Sequence, residues 1–351
     1  MCLSEHAAPA QVAAATPREA PGEAVDPIRL APVDSVSVTT LVDNVYDGLL
    51  GDDEWVRRAP LAGPSVSAAQ FLDGAALVGM RAEHGYSTLV TVTRGEQIWQ
   101  LVFDTGLSPD AMIENARRLE LDLRGIRAVV MSHGHFDHAG GLLGLAQAYG
   151  RRGLPLTIHP FAWARRRFAV PGADGWELPT LSKSALAAEG FDLVERTVPS
   201  LLLDGSVLVT GEVDRVTDFE LGMPPAHQAW DGAAWLPDRA VRDDQALVVH
   251  VRDRGLVVVT GCGHAGVVNI VRHAMRLTGV PHLAALVGGF HLAGPAFEPI
   301  IAPTVIALRE LTPQLLVPGH CTGWRAQHAL AAVLPGSFRP GSSGSTYTIA
   351  A

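Results

Sequence analysis

The densest chemistry in the chain lies in one short run, Met131-Ser132-His133-Gly134-His135-Phe136-Asp137-His138-Ala139-Gly140-Gly141. Three imidazoles and a carboxylate fall within six residues, directly after an apolar stretch that reads as a buried strand. In extended backbone, alternate side chains share a side, so His133 and His135 point the same way. Asp137 and His138 sit where a helix would begin, and there neighbouring residues diverge by about 100°. One of these two can therefore serve a second metal ion rather than crowd the first. Imidazole and carboxylate donors suit Zn²⁺ best, with Fe or Mn as alternatives.

This run resembles the HxHxDH signature of the metallo-β-lactamase superfamily, and the resemblance extends from about Val36 to Ile349. It implies a four-layer αββα sandwich, two Zn²⁺ per chain, and further ligands at the ends of other strands. Leu101-Val-Phe-Asp104-Thr-Gly106 is similar to the family's first motif, in which the Asp orients a ligand histidine. In Val257-Val-Val-Thr260-Gly-Cys262-Gly-His264 the family usually places a bridging Asp; here Cys262 takes that position, with His264 two residues on. His264 and Cys262 are thus expected as ligands. Leu315-Leu-Val-Pro318-Gly-His320 is similar to the last motif and makes His320 a ligand. The family's remaining histidine has no clear counterpart. His159, His227 and His250 lie in the right interval without a convincing flank, and Asp243-Asp244 is an alternative.

Glu83-His84-Gly85-Tyr86, Thr260–Gly266, Gly288-Gly289-Phe290-His291 and Pro318–Gly323 narrow the resemblance to one subgroup. It includes archaeal dihydropterin-methyl-aminobenzene ribofuranosyl phosphate synthases and many uncharacterised metal-dependent hydrolases. His291 ends a strand on what should be the same face, so it is expected to touch substrate, with Asp244 a further candidate. The basic run Arg165-Arg166-Arg167 follows Trp163. It reads either as a solvated face or, through Arg166, as an anion-binding rim for a phosphorylated substrate.

The elements that must position these residues are legible in outline. Ser35–Val42, Ser87–Thr93 and Gln97–Phe103 are β-branched runs separated by turns. Helical spacing marks Pro109–Leu119, Leu142–Tyr149, Val267–Leu277 and Pro303–Leu311. Short apolar runs at Ile126–Met131, Leu156–Ile158, Leu283–Val287 and Gln314–Val317 fit buried strands. Leu247–Val251 and Leu256–Thr260 form a hairpin around Asp253-Arg254-Gly255. Each half is a meander followed by β/α units, which predicts two packed sheets with helices outside. Residues 1–28, rich in Ala, Pro and Glu, are expected to be a disordered tail ahead of one domain over 29–351. Within that domain, about 160–243 shows poor periodicity and is expected to be a loop-rich insertion.

With 351 residues, 48% of them hydrophobic, the chain can bury a large core. Its net charge of −9 argues against a surface made for nucleic acid. Three cysteines (Cys2, Cys262 and Cys321) are too few for a disulfide framework, and no signal peptide or membrane-spanning run is present. A cytoplasmic enzyme acting on a small molecule is expected.

Two metal ions sharing a water would generate a nucleophile at neutral pH and polarise an ester, lactone or phosphoester, with Asp137 and Asp104 as the catalytic carboxylates. That makes the chain a metal-dependent hydrolase. The alternative is a transferase of the pterin-synthase type, in which the metals bind a leaving group. Iron-based redox chemistry and a non-catalytic metal-binding role are the remaining alternatives.

Overall fold

Valine alternation along the chain builds two β-sheets, each antiparallel at its start and parallel at its end. The computed structural model describes residues 26–351, apart from 62, 151–152, 170–171 and 173–174. The first sheet runs in the order Phe191–Glu195, Leu154–Ile158, Val129–Val130, Gln97–Phe103, Ser87–Arg94, Ser35–Val42, Thr346–Ala350, Val56–Arg57. The second runs Ser200–Leu202, Val207–Val209, Leu247–Val251, Gly255–Thr260, Leu283–Gly289, Leu315–Gly319. From Gln97–Phe103 to Phe191–Glu195, and from Gly255–Thr260 to Leu315–Gly319, neighbours pair parallel.

The sheets pack face to face. Val36, Val90, Leu101 and Val130 of the first meet Val249, Val257, Val287 and Val317 of the second in one buried cluster. The opposite face of each sheet is covered by helices, as parallel strands require. Val248, Val258 and Leu286 pack under Val267–Thr278 and Ile301–Leu311, while Val102, Val129 and Leu156 pack under Ala111–Arg118 and Leu142–Tyr149. This is the expected αββα sandwich. Both faces of the central strands are buried, which explains their continuous apolar runs.

Several boundaries shift. The Ile126–Met131 strand shrinks to Val129–Val130. A helix at Trp324–Val333 and the closing strand Thr346–Ala350 were not expected. The stretch 160–243 is not merely loops. Phe191–Glu195 joins the first sheet, Ser200–Leu202 and Val207–Val209 join the second, and a separate small sheet forms in the order Trp176–Glu177, Arg166–Phe168, His227–Trp230, Trp235–Pro237. These strands hold two to five residues each, too few for an alternating pattern to show. Of the expected tail, residues 1–25 lie outside the described residues; the Ile28 amide already donates to the Leu277 carbonyl at 2.7 Å. Among the described residues no helix is long and apolar enough to cross a membrane.

The metal-motif loop is held by close backbone approaches that only glycine permits. A Cβ on Gly134 would lie 2.3 Å from the Ala162 carbonyl oxygen, and one on Gly140 would lie 1.7 Å from that of Leu107. Neither neighbour is a flexible side chain, so substitution must move backbone. Gly140→Ala is expected to lower unfolding stability by about 3 kcal/mol or more in urea titrations; an unchanged midpoint would show that this approach is dispensable.

Candidate metal centre

The parallel strands of both sheets end at one rim, where ligands of layered α/β folds gather. Asp104 follows Phe103, the His133–His138 run follows Val130, Cys262 and His264 follow Thr260, His291 follows Gly289, and His320 follows Gly319. Asp104, His291 and His320 take positive φ, at 57°, 45° and 46°. Non-glycine residues seldom adopt this region, and they do so here as the chain turns off a strand into the site.

Around the rim His133, His135, His138 and His320 each have one nitrogen fixed by a partner, which assigns the tautomer, whereas Nδ1 of His264 and of His291 is buried without one. Ser132 Oγ donates to Asp104 Oδ2 at 2.6 Å, so it is free to accept from His133 Nδ1 at 2.8 Å. His138 Nδ1 donates to Asp104 Oδ2 at 2.7 Å. His320 Nδ1 donates to Asn44 Oδ1 at 3.0 Å, while the Asn44 amide nitrogen donates to the His320 carbonyl at 3.2 Å. His227 Nδ1 donates to the Asp238 carbonyl at 2.9 Å, which leaves its Nε2 to accept from His135 Nε2 at 3.0 Å. In the neutral rings the remaining nitrogens, His133 Nε2, His135 Nδ1, His138 Nε2 and His320 Nε2, carry lone pairs.

Those lone pairs converge. His133 Nε2 lies 2.9 Å from His135 Nδ1 and 3.2 Å from His264 Nε2. His138 Nε2 lies 3.2 Å from Cys262 Sγ, and His320 Nε2 lies 3.4 Å from Asp137 Oδ2 without a hydrogen-bond partner of its own. Donor atoms of Asp137, His138, Cys262 and His320 fall within 4.8 Å of one another, as do those of His133, Cys262 and His264. The unprotonated His133 Nε2 and His135 Nδ1, facing each other at 2.9 Å, repel unless a cation lies between them. Four donors at Zn–N lengths of about 2.0–2.1 Å would sit roughly 3.3 Å apart in a tetrahedron, close to what is observed. The residues therefore fit two ions: His133, His135, His264 and Cys262 could hold one, and Asp137, His138, His320 and Cys262 the other.

The electrostatics match such a centre. Burial, reinforced by neighbouring histidines, keeps His133, His135 and His264 far below the usual imidazole range, hence neutral. Burial also opposes charge on His138, but Asp104 and Asp137 outweigh it and raise its pKa to about 9, so an ion binding at its Nε2 would displace a proton. Asp137 is ionised: burial pushes it up, and His138 with His320 and His84 pulls it well below the carboxylate range.

The structure brings together His133, His135, Asp137, His138, Cys262, His264 and His320, with Asp104 behind them. His291 stands at their edge. Its ring lies 4.3 Å from that of His264, and its donor nitrogen shares a cluster with Cys262 and Cys321. Beside it opens a cavity of about 210 Å³, walled by His264, His291, Phe219, Met223, Phe290 and Phe297.

Two of the residues expected to touch substrate are buried. Arg166 is not a rim residue: it is 2% exposed, its Nε donates to Asp238 at 2.9 Å, and its other arm pairs with Asp243. A guanidinium held between two buried carboxylates has no face left for a substrate anion. Asp244 is not presented to a substrate either; it is 1% exposed and accepts from the Ala265 amide at 2.8 Å. Of the histidines considered for the missing position, His227 backs His135, His159 accepts from the Phe161 amide at 3.0 Å, and His250 lies on the strand Leu247–Val251 away from the rim.

Sequence reasoning missed Asn44, Asp43 and the role of His84. Asp43 Oδ1 accepts from the His320 amide at 2.9 Å. The largely exposed His84 places Nε2 3.7 Å from Asp137 Oδ2. Asp43-Asn44 directly follows the strand Ser35–Val42, and polar residues at a strand's end were the available signal.

The metallo-beta-lactamase superfamily profile matches residues 81–195. The chain is 28% identical over 256 residues to a 7,8-dihydropterin-6-methyl-4-(beta-D-ribofuranosyl)-aminobenzene-5'-phosphate synthase of Methanocaldococcus jannaschii, covering 70% of this chain and 83% of that protein. It is 25% identical over 259 residues to an uncharacterised protein of the same organism, covering 73% and 90%. Among solved structures it superposes on Tm1679, described as a metal-dependent hydrolase of the beta-lactamase superfamily, with a TM-score of 0.65 and 24% identity over 90% of this chain and 100% of that one. Residues 81–195 thus match the metallo-beta-lactamase superfamily profile, and the chain as a whole has the fold of Tm1679.

Proposed function

We propose that this protein is a metal-dependent hydrolase of ester, lactone or phosphoester bonds in a small molecule, working through two ions, most simply Zn²⁺. The observation that carries the reading is the convergence of imidazole lone pairs around Cys262 Sγ and Asp137. Bound there, two divalent cations supply Lewis acidity toward a developing oxyanion and lower the pKa of water.

The chain's own residues do the rest. Asp104 keeps the His138 proton on Nδ1, and through Ser132 it fixes His133 in the same sense. Asn44 does this for His320. Asp137, held ionised by its neighbours, is oriented to accept a hydrogen bond from the attacking water. His84, on the open side of Asp137, can pass a proton to a leaving group. His291 and the aromatic wall of the adjoining cavity take the substrate's apolar part and keep water from it. A phosphate on that substrate would need a cation other than Arg166.

A synthase reading is favoured by the 28% identity to the archaeal aminobenzene phosphate synthase. Supplying a dihydropterin diphosphate, whose pyrophosphate leaves as the new bond forms, with an aminobenzene ribosyl phosphate and looking for that enzyme's named product separates the two. Condensation without hydrolysis of generic esters would replace the hydrolase reading.

His135→Ala is expected to bind one ion fewer and to lose hydrolysis of p-nitrophenyl esters or phosphodiesters by at least about 100-fold. Metal analysis and initial rates check this, and retention of both would remove the proposal.

Asp244, without a substrate role here, should instead show in stability. Burial raises its pKa to about 7, with Asp243 adding to the effect and the Ala265 amide and Arg215 opposing it. The unfolded carboxyl titrates near 3.9. Because the folded form holds its proton longer, ionisation costs stability as pH rises from about 4 to 7, and the loss is complete above 7. Asp244→Asn should therefore be more stable than the parent at pH 8, with the gap closing toward pH 5. Chemical denaturation of metal-free protein at both pH values tests it; a gap that widens on acidification would contradict it.

A further inference from the structure

The small sheet inserted between residues 160 and 243 reaches the metal-motif loop by two routes. His227, at the start of the strand His227–Trp230, is fully buried, and its Nε2 accepts from His135 Nε2 at 3.0 Å. Asp243 Oδ2 accepts from the Gly134 amide at 2.8 Å. Arg166, on the neighbouring strand, joins the routes: one arm pairs with Asp243 and the other with Asp238, whose carbonyl holds His227 Nδ1. The strands pair directly, with Phe168 opposite His227 and Ala229 opposite Arg166. The result is a closed ring of contacts, Gly134–Asp243–Arg166–Asp238–His227–His135, around the loop that carries two donor atoms.

His135 differs from the other metal-motif histidines in what it faces. His133, His138 and His320 hand their spare proton to a hydroxyl, a carboxylate or an amide oxygen supplied by the main sandwich. His135 hands its proton to another imidazole, one that can accept only because a backbone carbonyl holds the opposite tautomer. Were His227 turned or replaced by an apolar residue, the His135 proton would have no acceptor. Nδ1 and Nε2 of His135 would then compete for it, and the lone pair aimed at His133 would be lost in part of the population.

We infer that His227 is a positioning residue, and that the Arg166-braced small sheet serves to hold His135 in the tautomer that binds the ion shared with His133 and His264. The inference rests on the two-ion site proposed above and extends it to residues that touch neither ion nor substrate. It also accounts for the buried Arg166, whose two carboxylate partners fix Gly134 and His227 relative to each other.

The test uses zinc alone, with affinities measured by chelator competition on full-length wild type, His227→Ala and His227→Gln, and with thermal melts of the metal-free forms. Glutamine can place a carbonyl oxygen near the position of Nε2 and accept the His135 proton. In His227→Ala one of the two zinc affinities is expected to fall about 10- to 100-fold while the other stays within about twofold. His227→Gln should recover most of the loss, and the metal-free melts should not track the affinities. Wild type binding two ions with His227→Ala unchanged would overturn this inference alone. So would equal weakening of both ions, or a glutamine variant as impaired as alanine, since either marks His227 as simple packing. Wild type that takes up no zinc would overturn this inference together with the site reading beneath it.

Discussion

Unprotonated imidazole nitrogens do not approach within about 3 Å of one another by choice, and the architecture of this protein brings His133 Nε2 and His135 Nδ1 to 2.9 Å, with His264 Nε2 3.2 Å from the first. In four of the rings, those of His133, His135, His138 and His320, a nitrogen faces inward because the ring's other nitrogen has been given somewhere to put a proton. For His133 and His138 that place is the Ser132–Asp104 pair, for His320 it is Asn44, and for His135 it is His227. Remove these acceptors and the ligand residues would still be present in the sequence, yet not committed to a single donor atom.

Such a cluster is costly to assemble without cations, and the sandwich around it is correspondingly over-determined. The two sheets bury a continuous valine-rich layer between them, and helices close both outer faces. The metal-motif loop lies against backbone on both sides, at Ala162 and at Leu107. These approaches leave it little freedom to relax away from its neighbours. The strained backbone at Asp104, His291 and His320 sits at the same rim, where departure from a strand into the site demands it.

The small sheet from the middle of the chain changes what an insertion means here. Its short strands build no part of the main sandwich, but they deliver Arg166 and His227 to the back of the loop carrying His135. His291 and the aromatic cavity beside His264 lie elsewhere on the rim, and they are the proposed place for a substrate. In that reading support and substrate contact fall to different segments, and Arg166 of the basic run belongs to the support.

The candidate metal motif was legible in the chain, because three histidines and an aspartate packed into six residues have few other uses. Layered strands and helices were legible too, because long alternating and apolar runs impose their periods locally, whereas the sandwich itself rested on the family resemblance. His264 and His320 were legible for the same reason, each following a recognisable strand. The partners of the ligands were not. Asn44 lies 276 residues from His320, His227 lies 92 from His135 and Arg166 lies 77 from Asp243, in loops or in strands too short to carry a period. Whether a buried arginine faces solvent or two carboxylates, and whether a histidine binds an ion or backs another that could, depends on which segments meet in space. Only the tertiary structure decided that, since the hydrogen bonds concerned are between residues that the chain holds far apart.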